Sequence, residues 1–239
     1  MTESLTPASI AFREDGTPYS LLHDDIYHSA AGGLAQARHV FVDGNGLPQR
    51  WQNRSRFTVL ETGFGMGINF LTTWAAWRAD PARCAHLHFV SLERFPMTVD
   101  DLRRAHDAVI SDAPMGVLAH ELANAWPALR PGAHAIDFER GAVRLTLMFD
   151  DAVEALPELD LHADAFYLDG FAPAKNPELW SPSLVASLAR VAHPGATLAT
   201  YTSAGEVKRA LRAAGFEVRR APGFGWKRHM LVCRYIGRV

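Results

Sequence analysis

The stretch Phe57-Thr58-Val59-Leu60-Glu61-Thr62-Gly63-Phe64-Gly65-Met66-Gly67-Ile68-Asn69-Phe70 limits what this chain can become more than any other. An apolar run ends in an acid, crosses three alternate glycines and enters a segment of helical apolar periodicity. That is the pattern of buried strand, tight turn and helix. Glycines at alternate positions let the backbone take positive φ and come close to a ligand. They also bring the unpaired N–H groups of a helix N-terminus to that ligand. The spacing Gly-x-Gly-x-Gly is not the Gly-x-Gly-x-x-Gly of nicotinamide and flavin dinucleotide folds. With Glu61 just before the glycines, it points to a cationic nucleoside cofactor, S-adenosylmethionine. The cofactor-binding candidates here are Glu61, Gly63, Phe64, Gly65, Gly67 and Asn69, with Glu61 and the turn opposite the methionine and its sulfonium charge. The plain alternative is a turn between packed elements, so support must come from downstream.

Before this stretch, Arg13-Glu14-Asp15-Gly16 reads as a hairpin turn and Gly44-Asn45-Gly46 as a second turn. Residues 1–56 read as an N-terminal extension of hairpin and loops packed on a main domain of residues 57–239, because they hold too few large apolar residues for a core of their own. Arg50, Arg54 and Arg56 read as solvated surface. From Phe57 onward, strands alternate with helices. Strands are expected at Leu87–Glu93, Val143–Phe149, Ala163–Asp169 and Ala196–Tyr201, with a hairpin arm at His134–Phe138. Helices are expected from Asn69, Val99 and Met115, after the Ser181-Pro182 cap, and at Glu206–Ala214 after Ser203. The last two strands, Phe216–Arg220 and Met230–Tyr235, are too closely joined for a helical crossover and must be antiparallel. The expected fold is therefore α/β and Rossmann-like, a mostly parallel seven-stranded sheet with an antiparallel last strand, as in S-adenosylmethionine-dependent methyltransferases.

Ligands of open α/β sheets bind beyond the carboxyl ends of the strands. Glu61, Glu93, Asp151 and Asp169 all fall at that edge. Glu93 suits the ribose hydroxyls of the cofactor. Asp151 suits the adenine amino group, or equally serves as a helix N-cap. Asp169 opens the loop Gly170-Phe171-Ala172-Pro173-Ala174-Lys175-Asn176-Pro177, where a carboxylate can take the hydrogens of an amine and hold its lone pair in line. Phe171 would pack on a flat ring. Asp169 and Phe171 are thus the catalytic candidates, with Asp169 also a cofactor-binding candidate and rate supplied by orientation and electrostatics.

These residues carry a family resemblance. Segments 61–71, 87–96, 166–180, 197–205 and 223–231 resemble the methyltransferase module of the bacterial enzymes that make 5-methylaminomethyl-2-thiouridine in tRNA, either fused (MnmC) or stand-alone (MnmD type). The likeness runs from about Tyr19 to the C-terminus and is most specific over 166–180. It implies transfer of methyl from S-adenosylmethionine to the amine of 5-aminomethyl-2-thiouridine at the wobble position. The partner it implies is the anticodon region of tRNA. Two departures are visible: Met66 stands where a small polar residue is expected, and Asp150 where a glycine often precedes the adenine-side acid. The fused enzymes carry a flavin-dependent oxidoreductase module, so a separate or formerly fused partner of that kind is expected. No dinucleotide fingerprint is seen in these 239 residues, so no flavin is expected in them.

Net charge is only −2, so an RNA partner would need a local basic face. Lys208, Arg209, Arg212, Arg219, Arg220, Lys227, Arg228, Arg234 and Arg238 crowd the final stretch. Of these, Arg219, Arg220, Lys227 and Arg228 are candidate tRNA contacts, and Lys175, Asn176 and Trp180 candidate contacts to a splayed wobble nucleotide. His86-Leu87-His88 has no nearby acid or thiol cluster, so no metal is expected. Cys84 and Cys233 form no redox spacing. The absence of a long apolar run or a secretion pattern argues for a cytoplasmic protein with no membrane partner. Two other readings remain open: a methyltransferase of the same fold acting on a small or protein amine, and a catalytically silent RNA-binding module.

Overall fold

The computed structural model describes residues 5–29 and 31–237. It begins with a small antiparallel sheet of β1 (Ile10–Phe12), β2 (Pro18–Ser20) and β3 (Asp25–Ile26). The expected Asp-Gly turn joins the first two strands, with Thr17 N donating to Asp15 Oδ1 at 2.9 Å and Gly16 at φ +81°. The extension is more than hairpin and loops, however. Helix α1 (Gly33–Ala37) runs into a π-helical stretch at Arg38–Asp43. Glycines and alanines hide it in the sequence, because small residues give little apolar periodicity. Burial holds it in place: Val40, Phe41 and Val42 are fully covered, and Phe41 stacks on Tyr167 with centroids 5.1 Å apart. Leu47 and Trp51 join the same core.

The main sheet comprises β4 (Arg56–Thr62), β5 (His86–Leu92), β6 (Gly132–Phe138), β7 (Val143–Phe149), β8 (Ala163–Leu168), β9 (Ala192–Thr200), β10 (Phe216–Pro222) and β11 (His229–Tyr235). Their order is β10-β11-β9-β8-β4-β5-β7-β6. The central pairs β9-β8, β8-β4, β4-β5 and β5-β7 are parallel. As expected, β11 runs antiparallel to both its neighbours. The eighth strand is the first arm of the expected hairpin, β6, which pairs with β7 along its whole length at the sheet edge. From β4 the chain moves outward through β5 to β7 on one side and then returns to β8 and β9 on the other, so the carboxyl ends of β4 and β8 flank a topological switch point, where a ligand cleft opens.

Helices α2 (Ile68–Ala79), α3 (Val99–Val109) and α4 (Ala113–Asn124) cover one face, and α5 (Ala152–Ala155), α6 (Pro182–Arg190) and α7 (Gly205–Ala213) the other. Side chains alternate along each strand. Phe57 and Val59 of β4 and Ala165 and Tyr167 of β8 lie in the core under α2, whereas Leu60, Phe166 and Leu168 lie in the other. This alternation later decides where Glu61 points. No helix among the described residues is long and apolar enough to cross a membrane.

Three local expectations change. Arg50 and Arg54 are anchored rather than freely solvated: Arg50 donates to Thr197 Oγ1 at 2.7 Å, and Arg54 pairs with Asp164 at 2.9 Å. Strand β9 starts at Ala192, not Ala196, because the chain passes Pro194-Gly195 as a register shift against β8 with Gly195 at φ +78°. Ser203 does not cap α7; Ala204 holds the N-cap position without a side-chain bond.

Candidate active site at the carboxyl edge of the sheet

Between β4 and α2 the three glycines take φ +77°, +55° and +75° at Gly63, Gly65 and Gly67. A Cβ on Gly63 would sit 3.4 Å from the Gly170 Cα, so the turn and the loop after β8 touch backbone to backbone. Gly67 is needed for packing instead. A Cβ there would come within 2.7 Å of the Phe64 ring. No side chain caps α2, which leaves its first N–H groups without a side-chain partner, and Ile68 and Asn69 of its first turn line the cleft.

A cavity of about 390 Å³ runs from this turn past Glu93 to Asp151 and back to Asp169. Gly63, Phe64, Gly65, Asn69, Glu93, Asp151 and Asp169 line it, but Glu61 and Gly67 do not. The direct methionine contact expected of Glu61 is therefore corrected. Period-two alternation puts Glu61 on the Phe57 and Val59 face, beneath α2, where it is fully buried. Its carboxyl accepts from Asn69 Nδ2 at 2.8 Å and from Ser91 Oγ at 2.6 Å. Burial holds its pKa well above the ordinary carboxylate value, against those two donors.

Glu93 directly follows β5 and ties the glycine turn to the segment after β5. Its carboxyl oxygens accept from Gly65 N and Phe95 N, each at 2.8 Å. Burial raises its pKa while these backbone donors oppose the rise. Asp151 takes the helix-cap role expected of it and also stands at the cavity wall. It caps α5 through Val153 N at 2.8 Å and still lines the cavity, with its second oxygen 2.8 Å from Arg94 Nη1. Asp169 accepts from Asn69 Nδ2 at 2.7 Å and from Gly170 N at 2.8 Å. Burial pushes its pKa up to about 6, against both donors.

A second cavity of about 240 Å³ abuts the first. Ile26, Tyr27, His28, Gln36, Asp169 and Gly170 belong to both walls. Tyr201, Phe224, Trp226 and Lys227 line this cavity and not the first, with Tyr201 OH donating to the Gly170 carbonyl at 2.8 Å. Asp169 thus stands where the two cavities meet. So does His28, whose Nδ1 lies 2.8 Å from the Ser29 carbonyl. A carbonyl can only accept, so in the neutral ring Nδ1 carries the proton and Nε2 is the acceptor. That buried Nε2 has no hydrogen-bond partner among the described residues.

The N-terminal strands roof the larger cavity. His23 stacks on Phe171 at 4.3 Å, and Tyr27 meets the same ring edge-on at 5.1 Å. Asp25 Oδ2 accepts from Ala172 N at 3.0 Å, and Lys175 pairs with Asp24 at 2.6 Å. Phe171 is therefore committed to the roof and lines only the cofactor-side cavity, so the expected packing on a substrate ring is corrected. Lys175 and Asn176 line that cavity too, rather than the second one. Trp180 is corrected as a nucleotide contact: it is buried at 4% exposure, with its indole N–H donating to the Phe171 carbonyl at 2.9 Å. Sequence reasoning gave no role to His23, Tyr27, His28, Tyr201 or Trp226. The cluster Asp24-Asp25-Ile26-Tyr27-His28, acids beside aromatics in a stretch too short to fold alone, was the available signal.

Of the basic candidates, Lys227 turns inward. Its Nζ lies 3.7 Å from the Tyr201 ring centroid, although the residue as a whole is exposed. Desolvation lowers its pKa, opposed by Asp169 and Asp25. Arg219, Arg220 and Arg228 are exposed. Arg219 and Arg220 are consecutive on β10 and so face opposite sides of the sheet. Among the described residues, no group of three or more His, Cys, Asp or Glu side chains is placed to hold a metal ion.

Residues 113–235 match the family of S-adenosyl-L-methionine-dependent methyltransferases. This chain belongs to that family. The methyltransferase is 63% identical over 238 residues to the tRNA 5-methylaminomethyl-2-thiouridine biosynthesis bifunctional protein MnmC of Paraburkholderia phymatum. It is 58% identical over 238 residues to the protein of the same name from Burkholderia thailandensis. Each match covers 100% of this chain and 36% of the relative, so the chain spans about a third of the curated relatives' length. Among solved structures, that of MNMC2 from Aquifex aeolicus covers 100% of the methyltransferase and 73% of its own chain, with TM-score 0.76 and 23% identity, a likeness of fold. The site fits the family's cofactor: a positive-φ glycine turn, the start of an uncapped helix and the carboxylates of Glu93, Asp151, Asp169 and Glu178 bound a cavity suited to a cationic nucleoside.

Proposed function

We propose that this methyltransferase acts on the amine of 5-aminomethyl-2-thiouridine at the tRNA wobble position, giving 5-methylaminomethyl-2-thiouridine. The observation that carries the reading is Asp169, placed on the wall shared by two cavities, one suited to the cofactor and one open to a second reactant. The names of the relatives supply the substrate. S-adenosylmethionine in the larger cavity would supply a methyl group on a positively charged sulfur, an electrophile that only a neutral amine can attack.

The chain's own residues keep that amine neutral and hold it. The Asp169 carboxylate and His28 Nε2 are acceptors at the junction, and together they can take the amine's hydrogens and leave its lone pair free to point across the wall. Lys227, beside Asp169, disfavours the protonated amine by like charge. Glu93 takes the ribose hydroxyls and Asp151 the adenine amino group, while Glu61 acts behind Asn69, fixing the amide that holds Asp169. Tyr27, His23 and Phe171 exclude water from above. Release of the amine from a carboxymethyl precursor is an oxidation, and it falls to a flavin-dependent oxidoreductase, fused or separate.

The test is mass spectrometry of wobble nucleosides after incubating the protein with S-adenosylmethionine and tRNA bearing 5-aminomethyl-2-thiouridine. The methylaminomethyl nucleoside should appear with the wild-type protein and fall by orders of magnitude with Asp169→Asn. Methylation of small amines in place of this tRNA would refute the reading.

A further inference from the structure

The turn between β10 and β11 presents one large aromatic side chain to solvent. Trp226 is 70% exposed, whereas Trp51, Trp74, Trp77 and Trp180 are buried. Exposing an indole is unfavourable, and here the backbone is built to do it. Gly223 lies so close to Lys227 that a Cβ would fall 2.1 Å from the Lys227 carbonyl oxygen, so the turn crosses over itself. Gly223 N donates to Arg228 O at 3.2 Å, and Lys227 N to Phe224 O at 3.2 Å. Gly225 takes φ +61°. Phe224 tucks in beside His39, with ring centroids 5.9 Å apart, and His39 Nε2 reaches Pro222 O at 3.0 Å. The turn is held from within, and Trp226 is what it holds out.

Its place gives it a use. Trp226 lines the same 240 Å³ cavity as Asp169 and His28, and its exposure puts it at the mouth. Arg228, two residues on, is exposed, so the rim carries positive charge, while Lys227 between them turns inward over Tyr201. An aromatic face beside a cationic rim, over a cavity with polar acceptors at its floor, matches a single splayed nucleotide: flat base at the mouth, amine-bearing arm inside, phosphate outside. We infer that Trp226 is a stacking platform for the base of the nucleotide whose aminomethyl arm enters the second cavity. This rests on the proposed tRNA substrate and adds to it a positioning residue. Trp226 holds the base while groups deeper in the cavity act on the arm.

The experiment compares wild-type, Trp226→Ala and Trp226→Phe proteins. Binding is measured to tRNA bearing 5-aminomethyl-2-thiouridine and to the same tRNA made abasic at the wobble nucleotide, over a range of salt. Calorimetry with S-adenosylmethionine shows that each variant keeps its cofactor cavity. Loss of stacking on one base should weaken binding of the modified tRNA by about 5- to 100-fold in Trp226→Ala. The salt slope should not change, because no phosphate contact is removed. Trp226→Phe should retain most of the affinity. With the abasic tRNA, wild-type and Trp226→Ala proteins should bind alike. Three results overturn the inference: full affinity in Trp226→Ala, equal loss in both variants, or a loss that persists with the abasic tRNA. A wild-type protein that neither binds nor methylates the modified tRNA instead refutes the proposed function, and the stacking role with it.

Discussion

Replacing Asn69 by Ala separates the two carboxyls that its single amide now bridges. One Nδ2 group donates to Glu61 Oε1 at 2.8 Å and to Asp169 Oδ2 at 2.7 Å. A hydrogen bond donated to an ionised group favours ionisation, so removing it must raise the Asp169 pKa above its value of about 6. Such a bond contributes about 1.5–3 kcal/mol, and about 1.4 kcal/mol is one pKa unit, which moves Asp169 to roughly 7–8. The carboxylate fraction at pH 7 then drops from about nine-tenths to between about a half and a tenth. Carbon-13 titration of aspartate-labelled protein reads this directly, with Asp169→Asn protein identifying the resonance. Methylation at pH 7 should fall in parallel and recover toward pH 9. A resonance that still titrates near 6 in folded Asn69→Ala protein would show that the amide does not set the charge of Asp169.

Three further outcomes are expected. Glu61 has a folded-state pKa well above its ordinary value, so the unfolded chain loses that proton first and stability declines as pH rises above about 4.5. Glu61→Gln should lose this decline, so its melting temperature should gain on that of wild type from pH 5 to pH 8; a constant difference would refute the buried-proton account. Glu93→Ala, which also frees Gly65 N and Phe95 N, should weaken S-adenosylmethionine by about 1.5–3 kcal/mol in calorimetry. Unchanged affinity would remove Glu93 from the cofactor site. Because Arg219 and Arg220 face opposite sides of an edge strand, the double alanine variant should reduce the salt dependence of tRNA binding by about one phosphate contact rather than two. A slope identical to wild type would place the RNA elsewhere.

Much of this arrangement was legible in the sequence because it is local. The Glu61–Asn69 turn, the acids closing β5 and β8, and the antiparallel last strand each declare themselves within about ten residues through glycine spacing and apolar period. What the pattern could not say is which way a strand-end acid faces. Glu61 and Glu93 look alike in sequence, yet Glu61 shares the face of Phe57 and Val59 and disappears under α2, while Glu93 lies one step past its strand and turns into the cavity. The Trp180 reading failed for a similar reason. Its neighbours along the chain, Lys175 and Asn176, sit in a polar loop, but one turn of 3₁₀-helix at Pro177–Trp180 rotates the indole into the core. The helical segment at Gly33–Asp43 and the roof over Phe171 owe their form to partners more than a hundred residues away. Nothing in their own composition announces them.

The contacts between residues 23–25 and the loop after β8 also bear on how the protein is made. His23, Asp24 and Asp25 leave the ribosome early, but Phe171, Ala172 and Lys175, to which they fasten, come well over a hundred residues later. A loop of that length must close before any of these bonds can form, an entropic toll that slows the step compared with local hairpins. Until then the early strands have no permanent seat. The central sheet can assemble first, and the chamber gains its ceiling as one of the last long-range events of folding.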